Sequence, residues 1–201
     1  MKSHVAHPFI AGAFALVAIT GTARADAGGT AGGTIEGTVT ARPAKDLRDT
    51  VVYLKSVPGT YPHRTVDLDQ RGLAFVPHIV TITVGDTVRF TNHDPLEHNV
   101  NSPDCHYDLG TRGQGAELSH VFAKQGACTQ LCKLHPEMLG FVFVGQNPYA
   151  AAVDQDGHYT IANVPPGTYD LEVWNAHLKG EGQKVTVTAS TPTHADLAVH
   201  R

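Results

Sequence analysis

Apolar and polar residues alternate with a period of two along most of the chain, and Gly, Pro, Asn and Asp repeatedly cut the alternation. Side chains of an extended strand point to opposite faces in turn, so each run reads as a strand with one face buried. The pattern predicts strands over 34–40 (TIEGTVT), 50–55 (TVVYLK), 79–84 (IVTITV) and 87–92 (TVRFTN). HVFAKQGACTQLC supplies two more, before and after Gly126. Further runs lie at 140–144 (GFVFV), 158–162 (HYTIA), 168–174 (TYDLEVW), 184–189 (KVTVTA) and 195–200 (ADLAVH). Beyond the first residues no stretch carries a convincing helical period. Many short strands with turn signals between them predict an all-β sandwich or barrel. VGD at 84–86 offers a position for positive φ between two alternating runs. DQDG (154–157) and VPPG (164–167) are turn formers on either side of HYTIA; PPG cannot continue a central strand, because proline lacks the donor N–H.

The ends of the chain modify this picture. Lys2 precedes an apolar run from Phe9 to Ile19, and Ala23-Arg24-Ala25 places small residues where a signal peptidase reads them. The run is too short for a membrane span, which needs about 20 residues. Export is therefore expected, with cleavage after Ala25 and a periplasmic or secreted destination. Residues 26–33, which take in most of AGGTAGGT (27–34), read as a flexible leader with nothing to bury. Lys2 and Arg24 fall in the removed segment, so the mature chain is more acidic than the formal −4 of the whole. There is no cluster of Lys and Arg, which argues against nucleic acid as a partner. No second apolar run is long enough to span a membrane. Three cysteines, all in the exported part, make an odd count for an oxidising compartment: one disulfide and one thiol with other work.

The two flanks of the mature chain each lack enough strands to stand alone. Together they resemble the carboxypeptidase regulatory-like, or transthyretin-like, β-sandwich, on the strength of DQDGHYTIANVPPGTYDLEVW (154–174). That resemblance implies a discontinuous sandwich from 34–58 and 151–201, with residues 59–150 inserted as a second domain. One elongated sandwich with a shared core is the simpler alternative.

Candidate chemistry concentrates in CTQLCKLHPEM (128–138). Cys132, His135 and Met138 are spaced C-x2-H-x2-M, and NHDPLEHNV places His98 in a loop after the 87–92 strand. A thiolate, two imidazoles and a thioether suit one copper ion cycling between Cu(I) and Cu(II), since sulfur stabilises the first and imidazole serves both. A trigonal His2Cys set with a long axial Met is the blue-copper electron-transfer arrangement. Zinc accepts the same nitrogen and thiolate ligands but gains little from Met. Taken singly, each of these residues has a bland reading, as core filler or surface imidazole.

F-x-N-x-D-x-x-x-H-N-V (90–100) and G-x5-C-x2-H-P-x-M (126–138) resemble a cupredoxin, a type 1 copper protein. The ligand loop is similar to that of amicyanin and shorter than that of plastocyanin. The whole is most like the plastocyanin-like proteins associated with methylamine utilisation. The fold this implies is a Greek-key cupredoxin β-sandwich combined with the small regulatory-like one. The resemblance also implies His98, Cys132, His135 and Met138 as copper ligands, and a hydrogen bond from the Asn99 backbone N–H to the Cys132 sulfur. A part-exposed His135 would be the electron port, rimmed by Leu134, Pro136, Leu139 and Leu96. The expected function is single-electron transfer between periplasmic redox proteins, without enzymatic activity of its own. A dehydrogenase or c-type cytochrome would be the transient partner of a monomer.

Three rival readings remain open at this level. C-x3-C-x2-H-x2-M resembles the binuclear copper loop C-x3-C-x3-H-x2-M, but is one residue short after the second cysteine. Counting from Gly126, the first ligand cysteine of either family falls on Cys132, which leaves Cys128 inside the strand. The chain is otherwise a copper carrier or chaperone, or a binding and adhesion module with structural copper. With Cys132 on the metal, Cys105 is expected to pair with Cys128. A Cys128–Cys132 bond is disfavoured, since four residues of strand span about 13 Å and a disulfide needs Cα atoms within about 7 Å. GTRGQG (110–115) reads as a loop. His93, His106 and His120 read as solvent-exposed imidazoles, and His158, His177, His194 and His200 have no ligand spacing.

Overall fold

The computed structural model describes residues 32–201. The expected export segment, and all of the leader before Gly32, lie outside the described residues. The described residues are all-β apart from a short 3-10 helix, Ala44–Asp49. Among the described residues no helix is long and apolar enough to cross a membrane.

The first strands are β1 (Gly33–Arg42) and β2 (Thr50–Leu54). Next come β3 (Thr65–Gln70), β4 (Phe75–Val76), β5 (Ile79–Thr83) and β6 (Thr87–Asn92). They are followed by β7 (His98–Ser102), β8 (Tyr107–Arg112), β9 (Glu117–Val121), β10 (Gly126–Leu131) and β11 (Leu139–Gly145). The last group is β12 (Ala150–Ala152), β13 (His158–Val164), β14 (Gly167–Asn175), β15 (Lys179–Gly180), β16 (Gln183–Val187), β17 (Thr193–His194) and β18 (Leu197–His200).

These strands form four sheets. One has the order β13-β1-β18-β15, with β17 also pairing β1, and a second has the order β12-β2-β14-β16. The other two are β5-β11-β10-β7-β8 and β4-β3-β6-β9. Thus β1 and β2 pair with strands from Ala150 onward, and every strand from β3 to β11 pairs within that set.

The sheets stack because the alternation loads each face with different residues. In β2, Val52 and Leu54 face one cluster with Ile35, Val39, Ile161 and Leu171, while Val51 faces another. In β11, Val142 and Val144 join Leu68, Val88 and Phe90, while Phe141 and Phe143 meet Val51, Tyr53 and Trp174. The result is four layers with three apolar seams. The middle seam explains why GFVFV is an unbroken apolar run: a strand covered on both faces has no polar side to show. Each fully buried Leu, Ile or Phe in these seams contributes about 1.5–3 kcal/mol.

Turn chemistry joins β5 to β6, which lie in different sheets, at the end of β6 opposite Asn92. Gly85 has φ +91, and an added Cβ there would meet the His63 ring at 2.1 Å, so the position requires glycine. Asp86 is wholly buried and accepts from the Thr83 N–H (2.9 Å), the Thr83 hydroxyl (2.9 Å) and the Arg64 N–H (2.7 Å).

Candidate metal centre

Three segments of the β3–β11 sandwich meet at one end: the β3–β4 turn, the 93–97 loop and the loop from Cys132 to Met138. Asn92, the last residue of β6, shapes the middle one. Its amide donates to the carbonyls of Leu96 (2.8 Å) and Arg112 (3.1 Å), and its oxygen accepts the Asp94 N–H at 2.9 Å. The chain then enters β7 at His98. The expectation of a loop position for His98 is thereby corrected: it opens a strand. HNVNS carries no apolar alternation, because all five of its residues are buried and its polar side chains bond to one another and to neighbours.

The His98 side chain is fully buried, and its Nε2 lies 2.8 Å from Asp94 Oδ2. A carboxylate oxygen only accepts, so Nε2 carries the proton and Nδ1 presents a lone pair. That nitrogen is 3.0 Å from His135 Nδ1 and 3.9 Å from Cys132 Sγ, and His135 Nδ1 is 3.7 Å from the same sulfur. Bonds of about 2.0–2.3 Å from nitrogen and sulfur to one ion place ligand atoms about 3–4 Å apart. The triangle therefore fits a single first-row ion, and its donors, two imidazoles and a thiol, are those that copper favours.

Cys132 follows the end of β10 and is the free cysteine of the described chain; the other two form the expected Cys105–Cys128 disulfide, with Cα atoms 5.6 Å apart. Cys128 is inside β10, opposite Val142 of β11. The Asn99 N–H donates to Cys132 Sγ at 3.3 Å, the contact that the cupredoxin resemblance implied. The Asn99 side chain joins both ligand-bearing segments: it donates to Asp108 (2.9 Å) and accepts from Asn101 (2.9 Å) and from the Lys133 N–H (3.4 Å). Lys133, Asn99 and the Gly110 N–H together hold the Asp108 carboxyl down at about 2. Gln70 donates to the Asn99 carbonyl at 3.1 Å. Asn92, Gln70 and Asp108 were absent from the sequence expectations, and Asn92 was visible only as a letter in the F-x-N-x-D motif.

His135 is half-buried, and its carbonyl accepts the Met138 N–H at 3.0 Å, which closes the loop. Met138 is fully buried in the same apolar cluster as Cys132. The other histidines near the site in sequence have different neighbours. His93 Nδ1 pairs with Asp69 at 2.7 Å, His106 is exposed in a turn at φ +59, and His120 stacks on Tyr107 with ring centres 4.0 Å apart. Burial lowers the His120 pKa. Half of GTRGQG belongs to β8 rather than to a loop.

Comparison with known proteins gives partial matches. The family model described as polysaccharide lyase family 4, domain II, matches residues 142–195. No curated protein matches the chain. Among solved structures, a reduced amicyanin variant is 24% identical, over 40% of this chain and 81% of its own, with a TM-score of 0.39. A Cu(I) form of another amicyanin variant is 25% identical over the same shares, with a TM-score of 0.38. A copper-containing nitrite reductase from Thermus scotoductus is 25% identical, over 47% of this chain and 25% of its own, with a TM-score of 0.40.

Proposed function

We propose that this chain is an exported one-copper protein that carries single electrons between redox partners. The observation that carries the reading is the convergence of His98 Nδ1, His135 Nδ1 and Cys132 Sγ within 4.8 Å of one another at the end of a packed sandwich. Bound there, copper would supply a reversible Cu(II)/Cu(I) couple. His98, Cys132 and His135 would hold it, with Met138 as the weak fourth ligand.

The protein's own groups favour a carrier. His98 enters from β7 with its ring fixed by Asp94, and Cys132 is held by the Asn99 N–H, so both keep their places whether or not charge changes at the centre. Donors that need not move keep the reorganisation between oxidation states small. His98 and Cys132 are buried, at 1% and 4% exposure, which excludes water from one side; His135 is the part-exposed ligand and the route for electrons. Slow exchange from such buried donors favours an electron carrier over a chaperone that hands the ion on. Cys128 is occupied by its bond to Cys105, which leaves one thiolate and favours one copper over two. The disulfide also suits an oxidising, periplasmic or extracellular setting. A dehydrogenase or c-type cytochrome fits as partner, docking around Leu134 and Leu96, which are 49% and 48% exposed.

The test is potentiometry of the copper-loaded chain. One reversible electron per chain, with fast exchange to a c-type cytochrome, is the expected result. An irreversible couple, or copper lost on reduction, would overturn the carrier reading.

A further inference from the structure

Asp94 makes contacts that a loop-shaping residue alone would not need. Its Oδ1 accepts the Gly72 N–H at 2.7 Å, and its Oδ2 accepts both the Leu73 N–H at 3.0 Å and His98 Nε2 at 2.8 Å. Gly72 and Leu73 have φ +64 and +58, so the Arg71–Ala74 turn directs two successive N–H groups at one carboxylate. Leucine rarely adopts this conformation, at a cost of order 1 kcal/mol, and its side chain is 37% exposed, so apolar burial does little to hold it there. The bond to Asp94 supplies a reason for the turn.

We propose that Asp94 is a positioning residue for the metal centre: its carboxylate fixes the His98 tautomer and orientation and biases a bound copper ion toward Cu(II). This rests on the one-copper reading above. The 71–74 turn acts as the clamp that holds the carboxylate in place. Two physical effects follow. First, an acceptor on Nε2 commits the ring proton there and keeps Nδ1 free for a metal. Second, an anion bonded to the far side of a ligand imidazole raises its basicity and adds negative charge near the ion, which stabilises the +2 state more than the +1 state. The turn N–H groups keep the carboxylate aimed without competing for Nε2–H. Both effects come from a fixed side chain and require no proton to move.

The experiment uses the full chain in two states. In the metal-free wild type, nitrogen NMR of the imidazoles should show His98 protonated at Nε2; protonation at Nδ1 would overturn the proposal without any variant. Asp94→Asn then removes the charge at nearly constant shape. Cu(II) affinity should fall about tenfold relative to Cu(I), a rise of about 59 mV in potential for one electron. The thiolate absorption should persist, because Cys132 is untouched. If the variant lowers the melting temperature but leaves the potential unchanged, Asp94 is only structural and the proposal fails. If the wild type takes up no copper, the reading beneath the proposal fails instead. Should Asp94→Asn not fold, the metal-free wild-type tautomer still decides the matter.

Discussion

At the scale of single residues, the carboxylates inside the turns carry much of the acid sensitivity expected of the chain. Burial opposes ionisation of Asp86, but the N–H groups of Thr83 and Arg64, the Thr83 hydroxyl and the Arg64 charge hold its pKa below the ordinary value. Asp94, Asp69 and Asp104 are lowered in the same way, by burial outweighed by hydrogen bonds. A folded-state pKa below the unfolded one means the stabilisation is complete above the unfolded value and is lost as pH falls through the folded one. These carboxylates should therefore make stability decline below about pH 4, while His120, lowered by burial, adds a smaller loss that begins as pH falls below about 6.5. Asp86→Ala should cost about 1–3 kcal/mol at neutral pH, because it leaves buried donors unpaired, and should shrink the acid decline. Urea unfolding at several pH values measures both, and an acid limb of equal size in the variant would contradict the assignment. Residue identity was legible where chemistry is rare. Cysteine, histidine and methionine at C-x2-H-x2-M announce a metal site in a way that Asn92, Asp94 and Gln70 do not, since polar residues of those types also fill ordinary turns.

At the scale of elements, legibility followed alternation. Strands such as β6 and the first half of β13 bury every second residue, and their sequences show it. β7 shows none, because both its faces are covered and its polar side chains bond within the layer. β3 was missed for another reason. TVDLDQ alternates, but Asp is a poor strand former; here Asp67 is held on the exposed face by a two-pronged contact with Arg89 of β6, at 2.7 and 2.8 Å. The disulfide ties the β7–β8 turn to β10 across a separation of 23 residues. Constraining a loop of that size in the unfolded chain stabilises the fold by about 3 kcal/mol. Cys105→Ser should lower stability by about that amount and leave the copper spectrum unchanged, because neither cysteine of the bridge belongs to the donor triangle. Chemical denaturation with visible spectroscopy checks this, and loss of the thiolate band would mean the bridge holds Cys132 in place.

At the scale of the whole molecule, four layers share three seams, and the donor triangle belongs to the layers that enclose the seam around Phe90 and Val142. We propose that the copper function resides in residues 59–150 and that the flanking sandwich is separable from it. The middle seam sets the cost of separation, since excision bares Ile79, Phe141 and Phe143. The excised segment should bind copper with the spectrum of the full chain, at a lower melting temperature; an unfolded, colourless segment would make the chain one cooperative unit. Trp174, the only tryptophan, stands on this seam 5.5 Å from Phe141, and its fluorescence reports directly on whether the layers part before the donor triangle is lost. The most direct test of the central claim is a copper titration of the full chain and of Cys132→Ser, followed by visible absorption and electron paramagnetic resonance. One copper per chain, with an intense thiolate-to-copper band that is absent from the variant, is the expected result. Two coppers sharing one unpaired electron, or a band that survives in Cys132→Ser, would contradict it.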